Sequence, residues 1–191
     1  AKLILIQYIT GREMNTTDAI WTISKVSNTP PTMHLNQTIY ICMAGASGTM
    51  SGIGEFRHVV VTPCRDGIPT IRKSIHSMSR QTIRPDLWVI LAHNYTLSDL
   101  DILEEETSGL DWILIVPVSD HSRRERGGQI ARLVNTGIEQ ISVEWDFLSK
   151  IDSDIELPPE YFSRIFGKFS DFPRLGIASG TCIVLKKGTR V

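Results

Sequence analysis

The pattern that most constrains this chain is a regular alternation of two kinds of segment from residue 57 onward. Five runs are apolar over most of their length, as buried strands are: RHVVVTPC, DLWVILAHN, DWILIVPV, WDFLSKIDSD and RLGIASGTCIVLKK. A helical pattern follows each of the first four runs. Buried strands that alternate with helices predict an α/β fold, with a mostly parallel sheet that helices cover on both faces.

The spacing of apolar residues also predicts which side of each helix packs on the sheet. The first helix has one apolar face, made of Ile68, Ile71, Ile75 and Met78. The third helix has a longer one, made of Ile130, Leu133, Val134, Gly137, Ile138 and Ile141. Gly109 is the expected stop of the second helix, and a double proline is expected to open the fourth.

Residues 1–56 differ in character from the rest of the chain. Charged side chains are sparse there, and AKLILIQYIT and QTIYICMAG have the β-branched and aromatic content of short strands. We therefore predict two regions, an N-terminal extension over 1–56 and an α/β domain over 57–191. The extension can be an auxiliary hairpin, a dimer-forming strand pair or a vector-derived tail, and the sequence leaves these three open.

Composition excludes several classes of protein. The net charge of −1 gives no sign of a nucleic-acid partner or a charged membrane surface. No apolar run reaches the roughly 18–20 residues of a membrane span. The cysteines Cys42, Cys64 and Cys182 lie far apart in no metal-ligand or disulfide pattern, so we expect a reducing, cytoplasmic setting. Membrane association of a longer protein stays open.

The carboxyl ends of the predicted strands are the expected place for a ligand. In open α/β sheets, ligands bind outside these ends, near the point where the strand order reverses. The candidate edge therefore consists of Thr62–Asp66, Ala92–Tyr95, Val118–His121 and Asp152–Asp154.

Asp152 and Asp154 follow the fourth predicted strand with one residue between them. At the two-residue period of a strand, both carboxylates leave on the same side. Such a pair can hold a hard divalent cation whose other ligands are water and phosphate oxygens, so magnesium or manganese holding a diphosphate is one interpretation. The other is structural: Asp154 caps the following helix or closes a turn.

Other residues of the edge have weaker signals. The basic stretch DHSRRERGGQ at 120–129 opens the third helix, where it can steer an anion or simply form a solvated loop. Arg132 lies inside that helix, and its position does not say which way it faces. His93 and Asn94 end the second strand, where they can meet a base or ribose or satisfy a loop. Cys64 is interpreted as a packing residue.

Several stretches in order resemble the family 2 glycosyltransferases, which have the GT-A fold. They are VVVTPCRDGIPTIRKSIHSMSRQTIRPDLWVIL, IARLVNTGIEQI, FLSKIDSDIELPPEYF and GIASGTCIVLKK, which together cover roughly 57–187. The first stretch has the strand, the proline-containing turn, the helix with a late serine, and the glutamine before a second strand. The third has the D-x-D strand and the proline before the next helix.

The resemblance implies a GT-A nucleotide-sugar-binding domain over 57–191. It implies inverting transfer of a sugar from a nucleotide-diphosphate donor to an acceptor hydroxyl, with Mg²⁺ or Mn²⁺ as the cofactor. The acceptor can be a glycan, a lipid or a protein. No nucleic-acid partner is expected, and a homo-oligomer stays open.

The resemblance also assigns residues to the donor site. Asp152 and Asp154 match the D-x-D motif, with Asp154 as the expected direct metal ligand and Asp152 supporting the metal or contacting the ribose. His93 matches the position of a base-reading aspartate, and Gln129 that of a donor-facing basic residue. The complete predicted donor site is Thr62, Pro63, Cys64, Asp66, His93, Asn94, Gln129, Arg132 and Asp152.

The chain departs from the family in three ways. AHNYT stands where an aspartate is expected after the second strand, which puts uracil specificity in doubt and opens guanine or another base. In the family, the general base lies well beyond the D-x-D motif, and here no such base can be named. We therefore expect the acceptor region to be missing and the chain to be a fragment. The extension over 1–56 matches nothing in the family.

Two other functions remain from the sequence. One is a nucleotide-binding or interaction module of the same fold without catalysis. The other is a nucleotidyltransferase, for which TPCRDGIP is a poor match because a Gly-rich first loop with a basic residue is expected.

Overall fold

A computed structural model of the chain describes residues 4–9, 40–43, 56–65, 67–119, 128–172, 175–182, 185–186 and 189–190. Side chains are described for 56–65, 67–119, 130–172 and 175–180. No helix in these ranges is long and apolar enough to span a membrane. The predicted α/β class is confirmed, with a Rossmann-like parallel block of four strands and helices packed on both of its faces.

Strands and helices follow one another in the predicted order. In chain order they are β1 Ile4–Ile9, β2 Tyr40–Met43, β3 His58–Cys64, α1 Ile68–Ser79, β4 Leu87–His93, α2 Leu97–Glu106, β5 Ile113–Val118, α3 Gly128–Glu139, β6 Phe147–Lys150, α4 Tyr161–Asp171, β7 Ile177–Cys182, β8 Leu185–Lys186 and β9 Thr189–Arg190. The last two strands form a separate hairpin.

The centre of the sheet is the parallel block β6-β3-β4-β5. From β3 the chain moves outward through β4 to β5 on one side, and then returns to place β6 on the other side of β3. The strand order therefore reverses between β3 and β6. Their carboxyl ends flank the position where ligands bind in sheets of this kind.

The fifth predicted strand does not extend the parallel block directly. β2 lies between β6 and β7 and is antiparallel to both, so β7 runs in the same direction as β6 without touching it. β1 pairs with the outer side of β7, also antiparallel. The sheet is therefore mostly parallel, as predicted, and its antiparallel pairings come from two strands of the N-terminal extension that join it. The division of the chain at residue 56 stays a prediction.

Apolar side chains form two cores, one on each face of the sheet. Helices α1, α2 and α4 pack on one face, over alternate residues of the strands such as Val60, Trp88 and Ile90. Helix α3 packs on the other face, over Val61 and Leu91. Each strand of the block is thus buried on both sides, which explains why its sequence is continuously apolar.

The helices agree with their sequence patterns, with two differences. The predicted face of α1 is buried, and the α2 pattern ends before Gly109, which has a positive φ of 78°. Ile130 in the first turn of α3 is exposed, although the pattern placed it on the buried side. Pro158 and Pro159 precede α4 in a turn, since that helix begins at Tyr161.

Two aspartates fix the register at the amino edge of the block. The carboxylate of Asp146 accepts a hydrogen bond from Arg57 N at 2.7 Å, and Asp146 N donates to Arg57 O at 2.8 Å. Asp86 makes the same reciprocal pair with His58, at 2.7 and 2.8 Å. The backbone at the start of β3 is therefore held by the residues that precede both of its neighbours.

Gly137 marks the closest approach of α3 to the sheet. A Cβ at this position would lie 2.6 Å from Val61 Cγ1 and 3.0 Å from Leu91 Cδ1. Gly167, the glycine of α4, has no atom within 4 Å of the same point. The two helical glycines thus differ in the space around them, and they make a matched pair for mutation.

We expect Gly137→Ala to destabilise the protein and Gly167→Ala to stabilise it. Overpacking a core costs about 1–3 kcal/mol, and a 2.6 Å contact favours the upper part of that range. That cost exceeds the stabilisation of roughly 1 kcal/mol that alanine gives over glycine in a helix. In Gly167→Ala the gain in helix propensity is not opposed by a close contact, so this variant should be more stable than the parent. Urea unfolding of the two variants measures both signs, and equal stabilities would contradict the close packing.

His58 is a buried histidine in the first position of β3. It is 1% exposed, and its Nε2 lies 2.6 Å from Ser149 Oγ. The ring packs edge-on against Phe162 and Phe166, with centroids 4.5 and 5.0 Å away. Burial lowers the pKa of His58 from its ordinary value of 6.5 to about 3. The imidazole therefore stays neutral in the folded protein at pH values where the unfolded chain binds a proton.

This difference makes stability depend on pH. Between the folded pKa of about 3 and the unfolded value of 6.5, the unfolded state binds more protons, so stability is lost as the pH falls through this window. We expect His58 to contribute a loss of about 2 kcal/mol between pH 7.5 and pH 5. Urea unfolding at both values should show a smaller loss in His58→Gln. His76→Gln, which changes an exposed histidine, should keep the full loss, and an unchanged loss in His58→Gln would contradict the assignment.

Candidate functional site

The candidate site is the carboxyl edge of the parallel block, where the strand order reverses. β3 ends there at Cys64, and β6 ends at Lys150. The predicted fourth strand was expected to run to residue 154, but residues 151–154 lie outside it. After Ile151 N donates to Val61 O at 3.1 Å, the chain leaves the sheet and turns toward α1.

Asp152 and Asp154 lie in this turning segment, and both are partly exposed. The residues that alternate with them, Ile151, Ser153 and Ile155, are 1%, 4% and 1% exposed. Burial thus alternates with a period of two through the segment. The two aspartates thus belong to its more exposed side, in a turn that is closed by a hydrogen bond from Ile155 N to Asp152 O at 3.3 Å.

Lys150 is a functional candidate that the sequence pattern did not single out. It is the last residue of β6 and is only 9% exposed, yet it is charged. Its ammonium group forms an ion pair with the carboxylate of Asp152, and the two side chains are 10% and 17% exposed. The available signal was a lysine at the end of an apolar strand, two residues before an aspartate.

The chemistry of this segment fits a divalent cation that takes most of its ligands from a substrate. Among the described residues, no three His, Cys, Asp or Glu side chains come together to hold a metal. Magnesium is nevertheless often held by one or two carboxylates together with phosphate oxygens and water. Asp152 and Asp154 supply hard oxygen ligands of this kind. Asp154 is the predicted direct ligand, and the carboxylate of Asp152 is paired with Lys150.

Helix α1 holds the segment that carries the aspartates. Ser74 Oγ lies 2.6 Å from Ser153 O and 2.8 Å from Ile155 O, so its hydroxyl is bound to the carbonyls on both sides of Asp154. One helical turn later, Ser77 Oγ accepts a hydrogen bond from Leu157 N at 3.2 Å. These are side chains of the late-serine pattern in the sequence, and the structure gives them a physical role.

Gln81 continues this attachment beyond the end of α1. Its Nε2 donates to Pro158 O at 2.8 Å, and the next residue, Thr82, donates its N–H to Pro159 O at 2.9 Å. The proline carbonyls have no strand partner here, so these donors satisfy them. The path from Asp154 to the start of α4 is therefore fixed at several successive points.

We expect Ser74→Ala to destabilise the protein by about 1–3 kcal/mol, because it leaves buried carbonyl groups unsatisfied. Ser79→Ala is the matched control, since the Ser79 hydroxyl bonds only within its own helix, to Ile75 O at 2.9 Å. Urea unfolding gives the two losses, and hydrogen exchange of amides 151–157 reports the loosening of the segment. Equal losses in both variants would contradict the attachment.

The side chains of Thr62 and Cys64 point into the core beneath α1 and α2. Trp88 Nε1 donates to Thr62 Oγ1 at 2.8 Å, and Cys64 Sγ lies 2.8 Å from the hydroxyl of Tyr95. Burial, followed by the hydrogen bond to Cys64, raises the pKa of Tyr95 far above its ordinary value. Of the three predicted nucleoside contacts on β3, only Pro63 lies on the α3 face, and it is partly exposed. Any ligand contact with Thr62 or Cys64 would therefore be with their backbone.

His93 lies at the end of β4 and is 1% exposed. Neither of its ring nitrogens has a hydrogen-bond partner in the part of the chain that the structure describes. Asn94 follows with a positive φ of 57°, a conformation that asparagine tolerates better than most residues, and its N–H donates to Val118 O at 2.9 Å. The turn after β4 is thus tied to the end of β5, with the His93 ring beneath it.

The remaining predicted donor contacts are described only in part. Asp66, the stretch 120–127 and the side chain of Gln129 lie outside the described residues. Arg132 is exposed in α3, and its carbonyl accepts a hydrogen bond from Thr136 Oγ1 at 3.1 Å. The described edge therefore brings together Lys150, Asp152 and Asp154.

A shallow groove of about 560 Å³ lies beside this edge, between α1 and the segment before α4. It includes neither Asp152 nor Asp154. Its lining is mostly charged and consists of Arg72, Lys73, His76, Ser77, Arg80, Glu156, Leu157 and Pro159. Two of its cations already have acidic partners, since Arg72 pairs with Glu106 at 2.7 Å and Lys73 with Glu156 at 3.8 Å. We therefore interpret the groove as a solvent-exposed helix face.

Neither protein-family models nor curated proteins give a match to this chain. Among solved structures, the chain is similar to S. aureus TarS, with 17% sequence identity and a TM-score of 0.46. The similarity covers 60% of this chain and 20% of the TarS chain, so the chain spans a fifth of that protein. At this TM-score the likeness carries no conclusion about activity.

Proposed function

We propose that this chain is the donor-binding part of a metal-dependent glycosyltransferase of family 2 type. In this proposal it binds a nucleotide-diphosphate sugar at the carboxyl edge of the sheet, with Mg²⁺ or Mn²⁺ between Asp154 and the diphosphate. The complete protein would transfer the sugar to an acceptor hydroxyl with inversion. The resemblance over 57–187 supports the reaction class.

The observation that carries the proposal is the place of the aspartate pair. Asp152 and Asp154 follow β6 directly, beside the end of β3, where the strand order of the parallel block reverses. A pair of acids that only capped the next helix would have no reason to lie at this point. Neither aspartate is the N-cap of α4, which is Glu160. Capping of α4 is therefore disfavoured, whereas the other structural interpretation agrees with the structure, since Asp154 lies in a turn in which Ile155 N donates to Asp152 O at 3.3 Å.

Each residue of the edge then has a distinct task. Asp154 binds the metal, and Ser74 keeps Asp154 in place through the carbonyls on either side of it. Asp152 stays paired with Lys150 and would support the metal or contact the ribose. The metal, when bound, offsets the negative charge that develops on the leaving diphosphate.

The nucleoside end of the donor would lie over the ends of β3 and β4. Pro63 offers a partly exposed apolar ring, and the backbone beside it offers hydrogen-bonding groups. His93 is 1% exposed, so its ring nitrogens are covered and are not offered to a base in this structure. A histidine stands here in place of the carboxylate that reads uracil in the family, so the base stays open.

Calorimetric titration of UDP and of GDP, with and without Mn²⁺, tests the proposal. We expect binding that requires Mn²⁺ and weakens by at least about tenfold in Asp154→Asn, because a metal ligand that bridges to the diphosphate is lost. Asp101→Asn, which changes an exposed aspartate of α2, is the control and should bind like the parent. Folded protein that binds neither nucleotide with Mn²⁺ would refute the proposal.

Turnover separates the enzyme from a binding module with the same site. Release of free sugar from a UDP- or GDP-sugar, dependent on Mn²⁺ and on Asp154, would support catalysis. Release of pyrophosphate from a nucleoside triphosphate, in the presence of a sugar 1-phosphate, would indicate a nucleotidyltransferase. Nucleotide binding with no turnover, even when a complete acceptor region is supplied, would indicate the non-catalytic module.

A further inference from the structure

Lys150 is a buried cation that the proposed donor site does not need as a ligand. A lysine at 9% exposure is uncommon, because an ammonium group loses much of its hydration when it is buried. Such a charge persists only where an opposite charge or hydrogen-bonding groups compensate for it. The ion pair with Asp152 is such a compensation.

The position of Lys150 in the strand explains how it reaches the edge. In the β3–β6 register it pairs with Val61, two residues along each strand from the pairing of Leu148 with Val59, so Lys150 and Leu148 are on the same face of the sheet. Val59, Val61 and Leu148 belong to the core under α3, so the stem of Lys150 continues this apolar face. The ammonium group at the end of the stem meets Asp152, just beyond the strand. A long side chain thus buries its methylene groups and delivers a charge to the candidate site.

We infer that Lys150 is a built-in counter-ion of Asp152 that competes with divalent metal for this carboxylate. The role of the metal in this inference rests on the proposed function. Lys150 and the metal then compete for the carboxylate of Asp152, whereas Asp154 is the metal ligand of the proposed function. A metal held by one protein carboxylate binds weakly until diphosphate oxygens complete its ligand set, so the site gains its metal together with the donor.

The inference predicts a gain of function from the loss of a charge. In Lys150→Met, Asp152 loses the ammonium group with which the metal competes for its carboxylate. We expect Mn²⁺ alone, without nucleotide, to bind this variant about tenfold or more tightly than the parent protein, because a nearby positive charge is removed and a ligand is gained. Lys150→Arg keeps the charge and should bind Mn²⁺ like the parent.

The measurement is the free Mn²⁺ concentration during titration, read by electron paramagnetic resonance. The double variant Lys150→Met with Asp152→Asn removes the released carboxylate, so the gain in affinity should disappear. Asp152→Asn alone leaves the ammonium group of Lys150 without its counter-ion, so this variant should bind Mn²⁺ more weakly than the parent. The double variant removes both charges and should bind Mn²⁺ like the parent, which shows whether the gain in Lys150→Met comes from Asp152.

Stability provides a second readout in the same variants. Lys150→Met leaves a carboxylate without its buried partner, so its melting temperature should fall. Mn²⁺ should raise the melting temperature of Lys150→Met more than that of the parent or of Lys150→Arg, because the metal takes the place of the ammonium group. If Lys150→Met does not fold in metal-free buffer, folding that occurs when Mn²⁺ is added supports the inference, and failure to fold with Mn²⁺ contradicts it.

Two results would overturn the inference. One is a Lys150→Met protein that is folded and binds Mn²⁺ no more tightly than the parent, including the case in which neither binds. The other is a double variant, Lys150→Met with Asp152→Asn, that binds Mn²⁺ as tightly as Lys150→Met alone. Failure of the proposed function looks different: UDP and GDP do not bind with Mn²⁺, whether or not Lys150→Met gains metal affinity.

Discussion

The hydrogen bonds from α1 to the chain after β6 are the interaction on which the candidate site depends. Ser74 binds the carbonyls around Asp154, and Gln81 binds a carbonyl just before α4. Without these donors, residues 151–159 would leave the sheet as a loop with several unsatisfied carbonyls. With them, a segment without regular structure is held as firmly as a strand, and its outward side chains have defined positions.

The two edges of the parallel block use acidic residues in opposite ways. At the amino edge, Asp86 and Asp146 each bind a backbone N–H of β3, so their carboxylates serve the register of the sheet. At the carboxyl edge, Asp152 meets a lysine and Asp154 is partly exposed. The same residue type is structural at one end of the strands and a candidate ligand at the other. The difference lies in which donors the fold brings within reach.

Much of the fold could be predicted from local patterns, while the contacts of the site could not. Periodicity identified the buried side of α1 because helix packing requires a continuous apolar face. The same pattern failed at Ile130, which lies in the first turn of α3 and extends past the part of the helix that covers the sheet. Motif spacing placed Asp152 and Asp154 at the correct edge. It did not identify Lys150, because a single lysine in an apolar run says nothing about its partner until the backbone is known.

Long-range pairings account for the rest of what the sequence left open. The inward direction of Thr62 depends on Trp88, which is far away in the chain and reaches it across the sheet. The place of β2 depends on two strands from the other end of the sequence. No local pattern contains these relations, because each is decided by which distant surfaces fit together.

The place of β2 has a consequence for how the molecule reaches its native state. Its strand neighbours, β6 and β7, are among the last elements of the chain, so the middle of the sheet closes only after nearly the whole chain is present. A loop that spans most of the sequence must be closed to make this pairing, and its entropy is lost before the pairing contributes any contacts. Strands β3, β4 and β5 pair with strands that are close to them in the chain, so their pairing requires only short loops to be closed. Assembly is therefore expected to begin in the middle of the chain, with β2 among the last strands to join.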